Sequence, residues 1–177
     1  INPGEIVRLD LEGIHSTPSQ SDTSKFCIFE NIYFARPDSI LDGTRVYTSR
    51  ESMGAALFRQ SPIKADLVTA IPDSAIPAAV GYARESGIIF EDTLIKNRNV
   101  GRTFIKPTQE LRDEGVRAKF TPLVENIRGR NIVLIDDSIV RGTTTPEVVK
   151  LLRESGALKV HVRVCAPPIK YPCHYGI

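Results

Sequence analysis

The sequence predicts an α/β domain in which a parallel sheet carries helices on both faces, preceded by a short N-terminal β segment. Short apolar runs alternate with helical patterns, as in parallel strands joined by helices. The run Ile132-Val133-Leu134-Ile135 is wholly apolar, which is typical of a strand buried on both faces. Gly87 and Gly156 stand where predicted helices should end.

The first third of the chain supplies the N-terminal segment and one helix. Residues 4–14 mix apolar and polar side chains in near alternation and predict a strand or hairpin arm. Residues 16–25 are rich in Ser, Thr, Pro and Asp, so we place a domain boundary near Ser24. Residues 27–35 are apolar and aromatic and predict an extended segment.

A helix is predicted over residues 49–60, with Ser49 as its N-cap and Met53, Ala56 and Leu57 on its apolar face. The other predicted helices cover residues 76–85 and 146–154. The predicted strands that follow are residues 66–71, 88–90, 93–95, 131–135 and 160–165, and residues 97–107 predict a basic, mobile loop.

Composition limits the class of protein. The chain has 177 residues, of which 41% are hydrophobic and 25% charged, and these values are typical of a globular domain. A net charge of +2 gives no indication of nucleic-acid binding. Three cysteines do not suggest a disulfide framework, and no apolar run reaches the roughly 18 residues that span a membrane. We expect a cytoplasmic enzyme or binding domain.

The ends of the sequence suggest a piece of a longer protein. The chain opens at Ile1 without a methionine and stops in the apolar stretch Tyr175-Gly176-Ile177. We expect a neighbouring segment on each side.

The segment from Asn131 to Thr145 carries the clearest chemical signal. Asp136 and Asp137 follow the apolar strand, and paired carboxylates can accept hydrogen bonds from a vicinal diol or lie near a hydrated Mg²⁺. Thr145 is predicted to N-cap the next helix, with Pro146 at its first position. The amides and threonine hydroxyls there would then form an anion cradle. Diol acceptors next to a phosphate site fit a ribose 5-phosphate.

A simpler interpretation treats the two acids as a solvated strand end and residues 143–145 as a plain capping loop. Each piece alone favours this interpretation, whereas their combination in this order favours a ligand site. No Gly-x-x-x-x-Gly-Lys-Ser/Thr pattern occurs, which argues against a nucleotide hydrolase.

Residues 133–144 resemble the signature with which type I phosphoribosyltransferases bind phosphoribosyl pyrophosphate (PRPP). The form Asp-Asp-Ser-Ile-Val-Arg-Gly-Thr-Thr at 136–144 is similar to that of the amidophosphoribosyltransferases. Four further stretches agree with this branch of the family, at residues 32–39, 71–74, 96–105 and 171–176.

The resemblance implies a reaction and a set of site residues. Amidophosphoribosyltransferases convert PRPP, glutamine and water to 5-phosphoribosylamine, glutamate and pyrophosphate, the first step of purine synthesis. Asp136 and Asp137 would hold the ribose hydroxyls and Mg²⁺, Ser74 would join the metal site, and residues 72–74 would form the pyrophosphate loop. The implied PRPP-binding residues are Asp73, Ser74, Asp136, Asp137, Ser138, Val140, Arg141, Gly142, Thr143, Thr144 and Thr145.

Residues 96–105 resemble the loop that closes over PRPP in this family. Lys96, Arg98 and Arg102 would neutralise the departing pyrophosphate as the C1–O bond breaks with oxocarbenium character. Taken alone, the loop would be interpreted as a solvated basic turn. Asn99 stands where the family loop carries Tyr, which puts the closing contact in question.

The glutaminase of this family uses an N-terminal cysteine, and no cysteine precedes Cys27. We therefore expect residues 1–24 to be the remnant of a missing upstream glutaminase domain or linker, and residues 25–177 to be a phosphoribosyltransferase domain truncated at its C-terminal end. By resemblance, Cys27 and Cys173 match two of four ligands of a 4Fe–4S cluster in one branch, whereas Cys165 is expected in the core. The family also implies a homo-oligomer that purine nucleotides inhibit.

Two other functions compete with this interpretation. One is a PRPP-binding regulatory protein of purine metabolism without catalysis, although such proteins tend to lose the closing loop and to carry a DNA-binding extension. The other is a phosphoribosyltransferase for purine bases or orotate, which the glutaminase-like N-terminal tail and Cys27 and Cys173 argue against.

Overall fold

The computed structural model describes residues 1–2, 4–18, 25–99, 115, 117–140, 142, 144–171 and 173. Its strands are β1 (Ile6–Asp10), β2 (Gly13–Thr17), β3 (Ile40–Leu41), β4 (Thr44–Arg45), β5 (Leu67–Ala70), β6 (Leu94–Lys96), β7 (Phe120–Pro122), β8 (Asn131–Asp136) and β9 (Lys159–Val164). Its helices are α1 (Val46–Gln60), α2 (Ile76–Ser86), α3 (Val124–Ile127) and α4 (Thr144–Glu154), and a π-helical turn covers Glu30–Phe34.

The central sheet is parallel and has the strand order β5-β8-β9. Leu67 lies opposite Ile132 in this sheet, and Ile132 lies opposite Val160. In the described residues, three two-stranded antiparallel ribbons, β1–β2, β3–β4 and β6–β7, lie outside it. The predicted parallel sheet and the N-terminal β segment are thereby confirmed.

Helices cover both faces of the sheet. Side chains alternate between the two faces along β8, so that this strand contacts helices on both sides. Ile132 and Leu134 pack in one cluster with Val148 and Leu152 of α4. Val133 and Ile135 pack in a second cluster with several residues of α2, including Ala79 and Tyr82. The strand is therefore buried from both sides, as its unbroken apolar run indicates.

Two glycines bring α1 and α2 into backbone contact. A Cβ atom added to Gly54 would lie 1.8 Å from the carbonyl oxygen of Ala78. A Cβ atom added to Gly81 would lie 1.9 Å from the carbonyl oxygen of Glu51. No side chain fits at either position, so the packing of α2 against its neighbour depends on both glycines.

Residues 27–35 are not extended, and this prediction was wrong. The segment forms a π-helix at Glu30–Phe34. The side chain of Arg50 in α1 donates two hydrogen bonds to backbone carbonyl groups in and just after this π-helix. Its Nε donates to the carbonyl oxygen of Asn31 at 2.8 Å, and its Nη2 donates to that of Ala35 at 2.9 Å. Arg50 is only 3% exposed, so this contact is made inside the protein. The aromatic composition of the segment holds no signal of that distant partner.

Helix α1 begins three residues earlier than its predicted N-cap. The amide of Val46 donates to the carbonyl oxygen of Ser39, and that of Tyr47 donates to the carbonyl oxygen of Pro37, both at 2.9 Å. Backbone groups of the preceding turn thus satisfy the first amides, and Ser49 lies inside the helix. On the predicted apolar face, Met53 and Leu57 are half-buried, whereas Ala56 is exposed.

The glycines predicted to end two of the helices stand where the sequence places them. Helix α2 ends at Gly87, which has a left-handed φ of 72°, and Gly156 follows α4 with a φ of 99°. The predicted strand at residues 88–90 is reduced to a single parallel bridge between Phe90 and Val68. The proposed boundary at Ser24 lies outside the described residues. None of the helices in the described part of the chain is long and apolar enough to cross a bilayer.

Candidate active site

The loops after β5 and β8 meet at the carboxyl edge of the central sheet. The amide of Ile71 donates to the carbonyl oxygen of Ile135 at 2.9 Å, which extends the ladder to the point where both strands end. Beyond it, the hydroxyl of Ser74 donates to Oδ2 of Asp137. The predicted pyrophosphate loop and the paired acids are therefore in direct contact, as expected for a ligand site in a parallel sheet.

Asp136 and Asp137 are each 7% exposed. The hydroxyl of Thr145 donates to Oδ2 of Asp136 at 2.9 Å, and the amide of Asp137 donates to Oδ1 at 3.0 Å. Thr145 is the second residue of α4, so the prediction that it N-caps the helix was wrong, as was the placement of Pro146 at its first position. The hydroxyl is turned toward the acid, which links the strand end to the first turn of α4.

The pKa of Asp136 is raised from 3.8 to about 6, mainly by burial and also by the negative charge of Asp137. The hydrogen bonds from Thr145 and from the amide of Asp137 oppose this shift. At neutral pH, Asp136 is therefore a charged group held in an environment that disfavours its charge.

Asp136→Asn is expected to stabilise the chain at pH 7.5, in buffer with EDTA, by up to about 3 kcal/mol. Because the folded-state pKa is raised, the folded state binds more protons between about pH 4 and 6. The unfolding free energy therefore falls as the pH rises through that window, and the full cost is present above it. The asparagine removes this cost, so its advantage should shrink toward pH 4. Urea denaturation at several pH values measures it.

Asp42→Asn is the matched control, since it removes the same charge from an exposed turn residue with a φ of 47°, which asparagine tolerates. Its free energy of unfolding should stay within about 0.5 kcal/mol of that of the unchanged chain. An advantage of Asp136→Asn that persists below pH 3.5 would contradict the explanation.

Asp137 connects two segments of the site. Its Oδ1 accepts a hydrogen bond from the hydroxyl of Ser138 at 2.6 Å, while Oδ2 faces Ser74. Both serines are half-buried. One carboxylate thus organises the loop after β5 and the loop after β8.

The predicted phosphate cradle follows these acids. Val140 is 49% exposed. Gly142 is exposed and has a φ of 66°, a backbone conformation that favours glycine. Thr144, the first residue of α4, is half-buried. The other two cradle candidates, Arg141 and Thr143, lie outside the described residues.

The structure describes two of the three predicted cations, Lys96 and Arg98. The ammonium of Lys96 lies 2.6 Å from Oδ2 of Asp73, on the loop after β5. The exposed fraction of the side chain is 29% for Lys96 and 62% for Asp73. Arg98 is exposed, and the amide of Asn99 donates to the side chain of Asn97. Arg102 lies outside the described residues.

Sequence reasoning missed two cations near the site. Burial lowers the pKa of Arg50, whereas the negative charge of Asp137 raises it. The carbonyl oxygen of Lys119 accepts a hydrogen bond from the amide of Asn97 at 2.8 Å, so Lys119 lies beside the strand that carries Lys96. Neither lysine nor arginine alone signals a site, and only the fold brings them there.

The cysteines occupy two different environments. Cys27 and Cys173 are exposed. Cys165 follows β9 and packs against the cluster on the α2 face, as predicted for a core residue. The pKa of the Cys165 thiol is raised to about 12, mainly by burial and also by the negative charges of Asp137 and Asp136. Cys165 is therefore a protonated thiol at neutral pH.

Comparison with known proteins identifies this arrangement. The model of the phosphoribosyl transferase domain matches residues 38–171, which contain both loops and all the acids described above. The chain belongs to the phosphoribosyl transferase domain family. Its parallel sheet with the site at the carboxyl edge agrees with this membership.

The relatives of this phosphoribosyl transferase domain carry a more specific name. The amidophosphoribosyltransferase of Mycobacterium tuberculosis is 50% identical over 177 residues, which is 100% of this chain and 34% of the relative. That of Mus musculus is 52% identical over 181 residues, again 100% of this chain and 35% of the relative. The resemblance to this branch of the family is thereby confirmed, and the chain spans about a third of the length of these relatives.

A solved structure agrees with the fold of this phosphoribosyl transferase domain. The glutamine PRPP amidotransferase from B. subtilis, complexed with ADP and GMP, matches with a TM-score of 0.81 and 48% identity. The match covers 100% of this chain and 39% of that structure.

Proposed function

We propose that the chain is the PRPP-binding part of an amidophosphoribosyltransferase. It transfers an amino group from ammonia to C1 of PRPP and releases pyrophosphate, which makes 5-phosphoribosylamine for purine synthesis. Glutamine supplies the ammonia in the longer protein. The names of the relatives support this proposal, as does the ligand chemistry of the two loops.

The hydrogen bond between Thr145 and Asp136 carries the proposal. It places a buried pair of acids directly against the first turn of α4. The acids accept hydrogen bonds from the ribose 2′- and 3′-hydroxyls. The amides and threonine hydroxyls from Val140 to Thr145, with the positive end of α4, bind the 5′-phosphate. PRPP carries both groups on one ribose, so a single molecule would contact both sets of ligands.

The oxygen donors at the acids fit a magnesium ion. Asp136, Asp137 and Ser74 offer the hard ligands that Mg²⁺ binds. A divalent cation beside these oxygens would also stabilise the charge of Asp136, which is buried. When bound, Mg²⁺ supplies positive charge to the pyrophosphate of PRPP.

The residues of the chain then serve the transfer itself. The acids fix the ribose, and the cradle fixes the 5′-phosphate, so that C1 is held in one orientation. Lys96, with Arg98 and Arg102, stabilises the charge that develops on the pyrophosphate oxygens as the C1–O bond breaks. Ammonia attacks C1 from the opposite face.

An iron–sulfur cluster does not fit the three thiols of this chain alone. A 4Fe–4S cluster takes four thiolates, and the buried Cys165 is held protonated. Cys27 and Cys173 are exposed and remain candidate ligands in a longer protein that supplies two more. A cytoplasmic location, an oligomeric assembly and inhibition by purine nucleotides stay predictions as well.

Pyrophosphate release tests the proposed function. The purified chain is incubated with PRPP and Mg²⁺ together with ammonium chloride, glutamine, purine bases or orotate. We expect release with ammonium and no glutamate from glutamine. Release that depends on a purine base or on orotate would contradict the proposal. Tight PRPP binding without turnover under any condition would favour the regulatory alternative.

A further inference from the structure

Arg50 is a buried cation whose hydrogen bonds go to uncharged groups. Its side chain donates to the backbone carbonyl oxygens of Asn31 and Ala35, and the residue is only 3% exposed. No carboxylate among the described residues forms an ion pair with it. A buried charge without a counter-charge costs free energy, so an acid at a longer distance would stabilise this arginine.

The acid pair at the end of β8 has the complementary need. Asp136 and Asp137 are each 7% exposed, and neither forms an ion pair with a residue in the described ranges. Their hydrogen-bond donors are hydroxyl groups and one backbone amide, which carry no net charge. Two neighbouring carboxylates that are shielded from water repel each other. A cation within the fold would therefore stabilise them as well.

Cys165 is a common neighbour of Arg50 and the two acids. Its amide donates to the carbonyl oxygen of Asp136 at 3.1 Å. Burial and the charges of Asp137 and Asp136 raise the pKa of its thiol, whereas the positive charge of Arg50 lowers it. The thiol thus lies between charges of both signs. We call Arg50, Cys165 and the two carboxylates the arginine–acid cluster.

Helix packing places Arg50 on the same side of the sheet as Cys165. Gly54 lies four residues after Arg50 on the same face of α1, and it is in backbone contact with Ala78 of α2. Ala78 belongs to the buried cluster that contains Ile135 of β8, and Cys165 packs against that cluster. The face of α1 that carries Arg50 is therefore directed toward α2 and the strand that ends in the acids.

We propose that Arg50 is a positioning residue for the acid pair, whose charge holds Asp137 in place while its hydrogen bonds join the π-helical turn to α1. The inference rests on the proposed function and adds to it a residue that does not touch the substrate. Arg50 gives up no proton and takes part in no bond that forms or breaks. Its loss would leave Asp137 less firmly placed to bind a ribose hydroxyl or a metal ion.

A double-mutant cycle of Arg50→Gln with Asp137→Asn tests the proposal in the full chain. Urea denaturation in buffer with EDTA gives the equilibrium constant for unfolding of each variant. Glutamine keeps a donor for the carbonyl groups of the π-helical turn and loses the charge. Arg50→Gln should raise the unfolding constant at least about tenfold more in the unchanged chain than in Asp137→Asn. If Arg50 only held the π-helical turn, the two factors would be equal.

The cycle of Arg50→Gln with Asp42→Asn is the matched control, because Asp42 is an exposed carboxylate. These two changes should act independently to within about twofold. Calorimetric titration with PRPP and Mg²⁺ gives a second readout that concerns the site. Arg50→Gln should weaken PRPP binding by about fivefold in the unchanged chain, and it should add no further loss in Asp137→Asn.

Equal effects of Arg50→Gln on unfolding in the two chains overturn the role of Arg50. Unchanged or tighter PRPP binding by Arg50→Gln overturns it as well, and PRPP binding by the unchanged chain then leaves the proposed function intact. If Arg50→Gln does not fold, the double variant with Asp137→Asn decides. Recovery of its helix content in circular dichroism supports the pairing of charges, and a double variant that stays unfolded overturns it. If the unchanged chain binds no PRPP, the proposed function fails, and the positioning role fails with it.

Discussion

Asp137→Asn should weaken PRPP binding by about 100-fold while the chain stays folded. The carboxylate is 7% exposed and accepts hydrogen bonds from Ser74 and Ser138, on the two loops that meet at the site. Asparagine keeps the shape and one acceptor oxygen. It loses the charge that a metal ion needs and one acceptor for the ribose diol. Calorimetric titration with PRPP and Mg²⁺ measures the loss.

The exposed variant Asp42→Asn again serves as the control for charge, and it should bind PRPP like the unchanged chain. Far-ultraviolet circular dichroism establishes that Asp137→Asn has the same helix content. If folded Asp137→Asn binds PRPP within about twofold of the unchanged chain, the acids are not the ribose and metal ligands.

Gly54→Ala should lower the free energy of unfolding by about 3 kcal/mol. Replacing glycine with alanine inside a helix ordinarily raises the free energy of unfolding by up to about 1 kcal/mol. The change expected for Gly54→Ala therefore has the opposite sign to the one that helix propensity alone predicts. The reason is the carbonyl oxygen of Ala78, which would lie 1.8 Å from the new Cβ atom. Backbone cannot move aside as a flexible side chain can, so α1 and α2 must separate. Urea denaturation gives the difference.

Ala56→Ser is the control for this effect, because it also adds one heavy atom to α1 but at an exposed position. It should change the unfolding free energy by no more than about 0.5 kcal/mol. Equal stability of Gly54→Ala and the unchanged chain would mean that the helices do not approach as closely as the structure shows. If Gly54→Ala does not fold, the destabilisation has the expected direction and is larger than predicted.

The central sheet could be predicted because its signals are local. The apolar run of β8 and the glycines after α2 and α4 act within a few residues, and each appears where the sequence places it. The adjacent acids at the end of β8 are a local signal as well. Their meaning as a site follows from the general rule that ligands bind at the carboxyl ends of parallel strands.

Contacts between distant parts of the chain could not be predicted in the same way. The π-helical turn at Glu30–Phe34 is held by Arg50, and the first turn of α1 is capped by backbone carbonyl groups rather than by Ser49. Thr145 bonds to Asp136 instead of capping α4. Ser49 and Thr145 each had a plausible local role as an N-cap, and contacts with other parts of the fold replaced that role.

Lys119 illustrates the same limit at the site. It is separated from Lys96 by more than twenty residues, and only the antiparallel pairing of β6 with β7 makes them neighbours. A lysine next to a phenylalanine is common in sequences and indicates nothing by itself. No sequence pattern indicated the pairing of β6 with β7, because residues 120–122 were not predicted to form a strand.

The parallel ladder between β5 and β8 fixes the positions of the two ligand loops relative to each other. Ala70 lies opposite Ile135, and the bond from Ile71 continues the register to the end, so the span between Ser74 and Asp137 is set by the sheet. The β6–β7 ribbon belongs to a separate sheet and contacts the loop after β5 through the ion pair of Lys96 with Asp73. A ligand that contacts both loops would therefore meet groups whose spacing is set by the hydrogen bonds of the parallel sheet.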